Sequence, residues 1–462
     1  MQDLDVNYTP VETVDEDMPY YQQFEKWYAE MSGLCPNCSY IRWDPRLHKF
    51  YAYQAKRGFY EEFYEENVLQ IFGLFADQYK VDLKPQNYTV FMKRFKSWAC
   101  ILFTKEWNEE GYENLEEGVL NLSTLELEPH SPMYMFRYVV PRRFTSPNPL
   151  GVQLFENLLK TGDKPALLRQ YLINMVHRDF TDKKFLIVYG KAGGGKSTLL
   201  NIPANMFGDE LTSTTDLYRL GKKFGLKDCY KARINIDSDI PVKTMDANVV
   251  SILKKLTGGV HGSDNKVTVE LKGVDLFSVR IGCYFVFGCN QLPKWDTESL
   301  TECESIGRRA LLVHYETFQI DCAGLEEITL DADFLDDIYS YLIRLPVKPI
   351  NMVGKEQWIK QALDEWFTDC DPLLGILKDL YEPTDKDMDS VLCTEVYEMV
   401  CEELNKDNST IPKNLMAQIT QSLMTLGIRK NSTKTKPKYL KIARKYDPDT
   451  KEVYQKTLDG GH

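Results

Sequence analysis

Apolar and polar positions along this chain fall into blocks whose period changes several times. Phe59, Phe63, Val68, Ile71 and Phe75 recur at helical spacing, which predicts one buried stripe within an aromatic-rich stretch that reads as mostly helical up to about Phe136. An extended, proline-bearing joint follows, from Pro141 to Pro149. A helical pair is expected from about Gly151 to Arg178. Between about Lys184 and Leu345, apolar runs of strand length alternate with helical patterns; Phe185–Tyr189, Cys283–Cys289 and Ala310–His314 read as buried strands. That alternation predicts a mostly parallel α/β sheet. Helix is expected again over about Gly354 to Tyr381, then a terminal unit with helices at Thr394–Glu403 and Lys413–Leu426 and a basic two-stranded wing. The expected domains are 1–140, helical and collar-like; 141–345, the α/β core; 346–388, a helical connector; 389–446, the terminal unit; and 447–462, a polar tail expected to fray.

Composition narrows the class without deciding it. With 43% hydrophobic and 27% charged residues over 462 positions, the chain is ordinary for a folded protein of about three domains. No apolar run approaches the roughly twenty residues of a membrane span, so no membrane partner is expected. The polar, acidic stretch Met1–Asp17 does not read as a secretory signal. Eleven cysteines without a repeating framework suggest reduced thiols and an intracellular setting. Cys35-Pro36-Asn37-Cys38 has the spacing of half a zinc site, with only His48 as a nearby further ligand, and no metal is expected there. The net charge of −12 argues against a uniformly basic surface, yet Arg429–Lys445 holds eight Lys and Arg residues and no acidic one. Such an island fits phosphate contacts by Arg429, Lys430, Lys438 and Lys441, and a solvated charge run is its bland counterpart.

Chemistry concentrates after the first buried strand. Gly190-Lys191-Ala192-Gly193-Gly194-Gly195-Lys196-Ser197-Thr198 fits the phosphate-binding P-loop at every required position, between a strand and a helix. Glycines let successive backbone N–H groups face the phosphates, Lys196 adds a point charge and the Ser197 hydroxyl ligates Mg²⁺. ATP and Mg²⁺ are the expected ligands. Such a loop needs a carboxylate at the end of a neighbouring strand, and Ile234-Asn235-Ile236-Asp237-Ser238-Asp239 offers two. Asp237 and Asp239 share a face if the strand continues. Asn290, closing another strand, would orient water or touch the γ-phosphate, although an Asn before Gln291-Leu292-Pro293 also suits a plain turn. Arg308 or Arg309 would neutralise charge in a neighbouring subunit's site, or else form a structural ion pair.

In this order and spacing, GKAGGGKST at Gly190, NIDSDIP at Asn235, ILKKLTGG at Ile252, VELKGVDLFSV at Val269, FGCNQLP at Phe287 and GRR at Gly307 resemble the superfamily 3 helicases. The resemblance is to the helicase part of the phage, plasmid and poxvirus helicase–primase family, and covers about Arg143 to Glu316. It implies an AAA+-like P-loop ATPase core, with an α-helical N-terminal region and a C-terminal winged helix. It gives Lys196 and Ser197 the phosphate and magnesium roles, prefers Asp239 to Asp237 beside the metal, makes Asn290 the sensor, and makes Arg308 or Arg309 the trans-acting finger. Lys272 would tip a hairpin gripping single-stranded DNA, supported by Lys254 and Lys255.

It further implies a homo-oligomer, a hexamer, that unwinds forked DNA in the replication of a virus or mobile element, in the cytoplasm or a host nucleus. Priming would come from a separate primase or polymerase, because the chain has no room for a full primase. Val260–Asp264 departs from the family pattern as a short insertion after Gly258-Gly259. An origin-binding initiator that is switched by nucleotide without processive unwinding is the alternative, and a P-loop kinase a third.

Overall fold

Aromatic side chains build the first part of the chain. The computed structural model describes residues 20–31, 40–78, 85–100, 107–181, 183–241, 244–258, 266–270, 276–295, 306–307, 309–316, 324–350, 366, 372–386, 389–406, 414–425, 428–431 and 437–445. These divide into two compact units. The first comprises 1–240, 248–291 and 310–353, the second 241–247, 292–309 and 354–462.

In the first unit, helix α1 (Tyr20–Met31) precedes an antiparallel meander of β1 (Ile41–Asp44), β2 (Lys49–Gln54) and β3 (Phe59–Phe63), with Ile41 opposite Ala52 and Phe50 opposite Phe63. Helices α2 (Glu65–Gln78) and α3 (Pro85–Trp98) follow. Their rings form one cluster: Phe72 stacks on Phe91 at 3.5 Å between centroids, and Phe24 stands edge-on to both at 5.7 and 5.4 Å. Edge-to-face contacts suit the ring quadrupole. A second meander, β4 (Tyr112–Leu115), β5 (Gly118–Asn121) and β6 (Leu127–Glu128), completes the region.

This corrects the mostly helical expectation for 1–140. Phe59 and Phe63 lie on β3, and only Val68, Ile71 and Phe75 share the buried face of α2. A spacing of four residues places side chains on one face in a strand as well as in a helix, so the pattern did not discriminate.

The proline-bearing joint is pinned rather than loose. Asp336 accepts from Arg142 Nη1 at 3.3 Å and from Arg143 Nε at 2.8 Å. Helices α4 (Pro149–Lys160) and α5 (Pro165–Val176) each begin with proline, and the Asn148 side chain caps α4 by accepting from Leu150 N–H.

The sheet comes next. It involves β7 (Phe185–Tyr189), helix α6 (Lys196–Leu211), β8 (Thr212–Ser213), β9 (Ile234–Asp237), α7 (Ala247–Leu256), the hairpin β10 (Val267–Val269) and β11 (Phe277–Val279), β12 (Tyr284–Cys289), β13 (Ala310–His314), α8 (Leu325–Ile328) and α9 (Ala332–Ile343). Five strands lie in the order β13-β7-β12-β9-β8, all parallel. Leu186, Ile187, Phe285, Phe287, Leu311 and Leu312 are all buried. A parallel sheet is covered on both faces, which is why these strands read as continuous apolar runs.

In the second unit, the short strands Thr244–Met245 and Lys294–Trp295 pair in parallel, and the buried Trp366 indole donates to Pro293 O at 2.9 Å. Further on lie α10 (Pro372–Leu380), β14 (Tyr381–Pro383), β15 (Ser390–Leu392), α11 (Cys393–Lys406), α12 (Leu415–Thr425), β16 (Arg429–Lys430), β17 (Lys438–Leu440) and β18 (Ile442–Arg444). Strands β15, β17 and β16 form one antiparallel sheet, and β14 pairs with β18. Leu377, Leu380 and Tyr381 share an apolar cluster with Val396, Ile419 and Tyr439, so this core reaches back beyond the expected boundary at 389. Strand β15 was also not anticipated; three residues are too few to show a period. Among the described residues, no helix is long and apolar enough to cross a membrane.

Candidate functional site

Parallel strands bring their C-terminal ends to one edge of a sheet, so the segments after β7, β9, β12 and β13 gather there. The loop after β7 turns on glycines. Gly190 has φ +154°, and a Cβ on it would lie 2.2 Å from Tyr315 O, just past β13. Gly195 sits at φ +89°, left-handed, as the residue before α6. A larger side chain would be strained at either position.

Lys196 opens α6 and is only 7% exposed. Its ammonium donates to Gly190 O at 2.9 Å, Lys191 O at 2.8 Å and Asn290 Oδ1 at 3.1 Å. A residue at the end of β12 therefore meets the lysine of the glycine loop across ninety-four positions of sequence. All three acceptors are neutral dipoles, so the cation is satisfied without a carboxylate partner. Ser197, Lys191, Ala192 and Gly193 are exposed, Gly195 and Thr198 half-buried, and Gly194 buried.

Strand β9 ends at Asp237, so the period-two argument does not carry through to Asp239, and the expected common face is corrected. The Asp237 carboxylate instead turns to backbone, accepting from Leu217 N–H at 3.3 Å and from the Asp239 N–H. Burial, reinforced by the nearby Asp216 and Asp239 charges, pushes its pKa above the ordinary carboxylate value. Asp239 is exposed. Cys289, last in β12, has a buried thiol pushed up to about 12 by desolvation, with Lys196 pulling down and Asp239 pushing up. Lys196 and Asp239 thus both act on one buried sulfur.

Other expected positions are less gathered. Arg309 is half-buried in the second unit, its N–H donating to Ile306 O at 2.8 Å, and Arg308 lies outside the described residues. Lys254 and Lys255 occupy the last turn of α7. The β10–β11 ladder pairs Val269 with Phe277, while Lys272 lies outside the described residues, as do Asp264, Cys35 and Cys38. Arg429 and Lys430 are exposed on β16, Lys438 is half-buried on β17, and Lys441 is exposed at φ +59°. Two contributors were not anticipated: Tyr315, whose carbonyl faces Gly190, and Asp216, which lies near Asp237. Neither has a local signal, because each acts by its place after a strand elsewhere in the sheet.

The family described as "Family of unknown function (DUF5906)" matches residues 188–309, from the end of β7 to the start of β13. No curated protein matches. Among solved structures, "The A form apo structure of NrS-1 C terminal region-CTR" is similar over 87% of this chain and 96% of that one, with 12% identity and a TM-score of 0.50. Two further structures of that region, both titled as residues 305–718 in apo form, have the same identity and coverage, with TM-scores of 0.48 and 0.49. At 12% identity the first likeness speaks to the fold alone.

Proposed function

We propose that this chain is an ATP hydrolase whose turnover drives movement along DNA, a ring-forming helicase of the superfamily 3 type. The observation that carries the reading is the 3.1 Å approach of the Lys196 ammonium to Asn290 Oδ1 at the edge of a parallel sheet. A P-loop lysine beside a polar side chain on the adjoining strand is what γ-phosphate recognition requires. The carbonyls of Gly190 and Lys191 hold Lys196 loosely enough, as neutral acceptors, to be exchanged for phosphate oxygens.

Ser197 and Asp239 are hard oxygen donors and exposed, which suits Mg²⁺, an ion that takes one or two protein ligands and leaves the rest to phosphate and water. Bound there, Mg²⁺ would neutralise charge on the transferring phosphoryl group. Asp237, with its raised pKa and backbone partners, positions the segment carrying Asp239. Arg308 or Arg309 from a neighbouring subunit would complete the site in a hexamer. The hairpin with Lys272, helped by Lys254 and Lys255, would grip single-stranded DNA. The terminal unit, with helices α11 and α12 and basic residues on β16 and β17, fits a winged helix contacting DNA phosphates.

The test is ATP hydrolysis by the full chain with and without single-stranded DNA, alongside its mass in solution and strand displacement on a fork. Stimulation by DNA together with assembly and displacement supports the helicase. Hydrolysis and assembly without displacement would point to a nucleotide-switched initiator. Absence of hydrolysis under all conditions overturns the reading.

A further inference from the structure

A cavity of about 550 Å³ lies in the first unit away from the glycine loop. Its walls come from β2, β3, the segment at Trp107–Asn108, the start of β9 and the strand β11. Seven cationic and three acidic side chains line it, with aromatic rings between them. The acidic ones are already neutralised: Glu62 by Lys231 at 3.0 Å and by Lys49, and Glu61 and Glu210 by Arg57 at 3.1 and 3.5 Å.

Arg137 is different. It is half-buried, its guanidinium lies 5.5 Å from the Tyr51 ring centroid and 5.1 Å from that of Trp107, and no carboxylate among the described residues pairs with it. Arg178 in the same wall donates to the carbonyls of Asn108, Glu109 and Tyr112, at 3.4 to 3.5 Å, and lies 5.8 Å from the Tyr138 ring centroid. Tyr51 is 2% exposed, and its side chain and that of Tyr230 hydrogen-bond the Arg137 guanidinium. Tyr230, beside Arg137, stands edge-on to Phe277 at 5.4 Å, and the exposed Arg280 also lines the wall. An arginine whose partners are neutral hydroxyls, beside the half-buried rings of Trp107 and Tyr230, is an arrangement that suits an anion carrying its own aromatic system.

We infer that this cavity binds a nucleotide unit, its phosphate held by Arg137 and Arg280 and its base stacked against Trp107 or Tyr230, as part of a single-stranded polynucleotide or as a free nucleotide. Sequence-independent single-strand binders combine these two elements, a cationic track and stacking rings. The inference does not rest on the hydrolysis reading, since none of these residues belongs to the glycine-loop edge of the sheet.

The experiment is fluorescence anisotropy of a labelled oligothymidylate of about twenty nucleotides on the full chain, without ATP or Mg²⁺, so that failure of the ATPase assignment leaves it untouched. Arg137→Gln and Arg280→Ala are each expected to weaken binding about tenfold, and an abasic oligomer of equal length to bind roughly tenfold less tightly than the base-bearing one. Tyr51→Phe removes only the hydroxyl beside Arg137 and keeps the ring, so it should shift affinity by a smaller factor. Competition by thymidine monophosphate at matched nucleotide concentration assigns the site to a free nucleotide, and competition by the polymer alone assigns it to a strand. A 4-thiothymidine oligomer should photocrosslink to peptides bearing Trp107 or Tyr230. If Arg137→Gln does not fold, Arg280→Ala and the crosslink map decide. Wild-type affinity in Arg280→Ala together with crosslinks confined to other segments overturns the inference, as does equal binding of the abasic chain.

Discussion

Two buried cations in the first unit, Lys196 and Arg233, are 7% and 4% exposed, and they are satisfied in opposite ways. Lys196 is held by two loop carbonyls and an amide oxygen, all neutral. Arg233, at the start of β9, donates to both oxygens of Glu113 on β4 at 3.1 and 2.9 Å and to the Tyr138 hydroxyl at 2.8 Å. Tyr138 and Phe207 lie within 5.3 Å of its guanidinium. Burial lowers the Arg233 pKa, but the carboxylate more than offsets this, and the net shift is upward. A cation with neutral partners can exchange them for a ligand's charge at little penalty. One locked to a buried carboxylate cannot, because separating the pair leaves two uncompensated charges. The first arrangement is that of a site, the second that of a seam.

The sharpest way to break the contrast is at Lys196. Lys196→Ala should lower phosphate release by at least about a hundredfold, while thermal unfolding moves little, because no buried charge is left behind. Hydrolysis persisting in that variant would remove the assignment. Glu113→Gln should do the reverse, lowering stability by about 3–5 kcal/mol in urea titrations by stranding Arg233. The double change Arg233→Met with Glu113→Leu should recover most of that loss; if it does not, the seam is more than an ion pair.

Glu25 sharpens the comparison from the acidic side. Its carboxylate is buried and accepts from Tyr40 N–H at 2.9 Å and Ile41 N–H at 3.3 Å. Desolvation raises its pKa from 4.5 to about 7 against those N–H groups and Arg42. The folded chain therefore binds this proton more readily than the unfolded one. The contribution is full below pH 4.5, declines as pH rises toward about 7 and is absent above it. Glu25→Gln should accordingly gain about 3 kcal/mol relative to wild type on going from acidic to alkaline buffer, and an unchanged difference across that range would contradict the burial argument. The smallest effect belongs to the surface. Lys96→Ala loses a half-exposed pair with Glu65 at 2.5 Å and a contact 4.5 Å above Trp43, and should cost about 1 kcal/mol or less.

Legibility in the sequence followed locality. The glycine loop, its preceding strand and the helix behind it were readable because they are neighbours in sequence, an apolar run, a glycine-rich turn and a helix in direct succession. The parallel sheet was readable because strands buried on both faces leave continuous apolar runs such as Phe185–Tyr189 and Tyr284–Cys289. Asn290 stood out through family resemblance, since an Asn before a turn carries no message by itself. The common face expected for Asp237 and Asp239 failed because alternation holds only while a strand continues, and this one stops. Phe59 and Phe63 misled because spacing of four is shared by strand and helix. Nothing near Arg137, Tyr51 or Tyr230 hinted at a joint cavity, since those residues are separated by tens to hundreds of positions and none has a motif.

By itself, then, the sequence determined the local elements: where a glycine-rich turn joins a strand to a helix, which runs must be buried on both sides, and where basic residues concentrate. Tertiary structure alone decided the partners. It set Asn290 on Lys196, turned Asp237 toward backbone, locked Arg233 to Glu113 and left Arg137 among aromatic rings with no carboxylate partner among the described residues. The physical reason is that a period or a turn is fixed by neighbours in sequence, whereas the field around a charge depends on whatever the fold brings within a few ångströms of it.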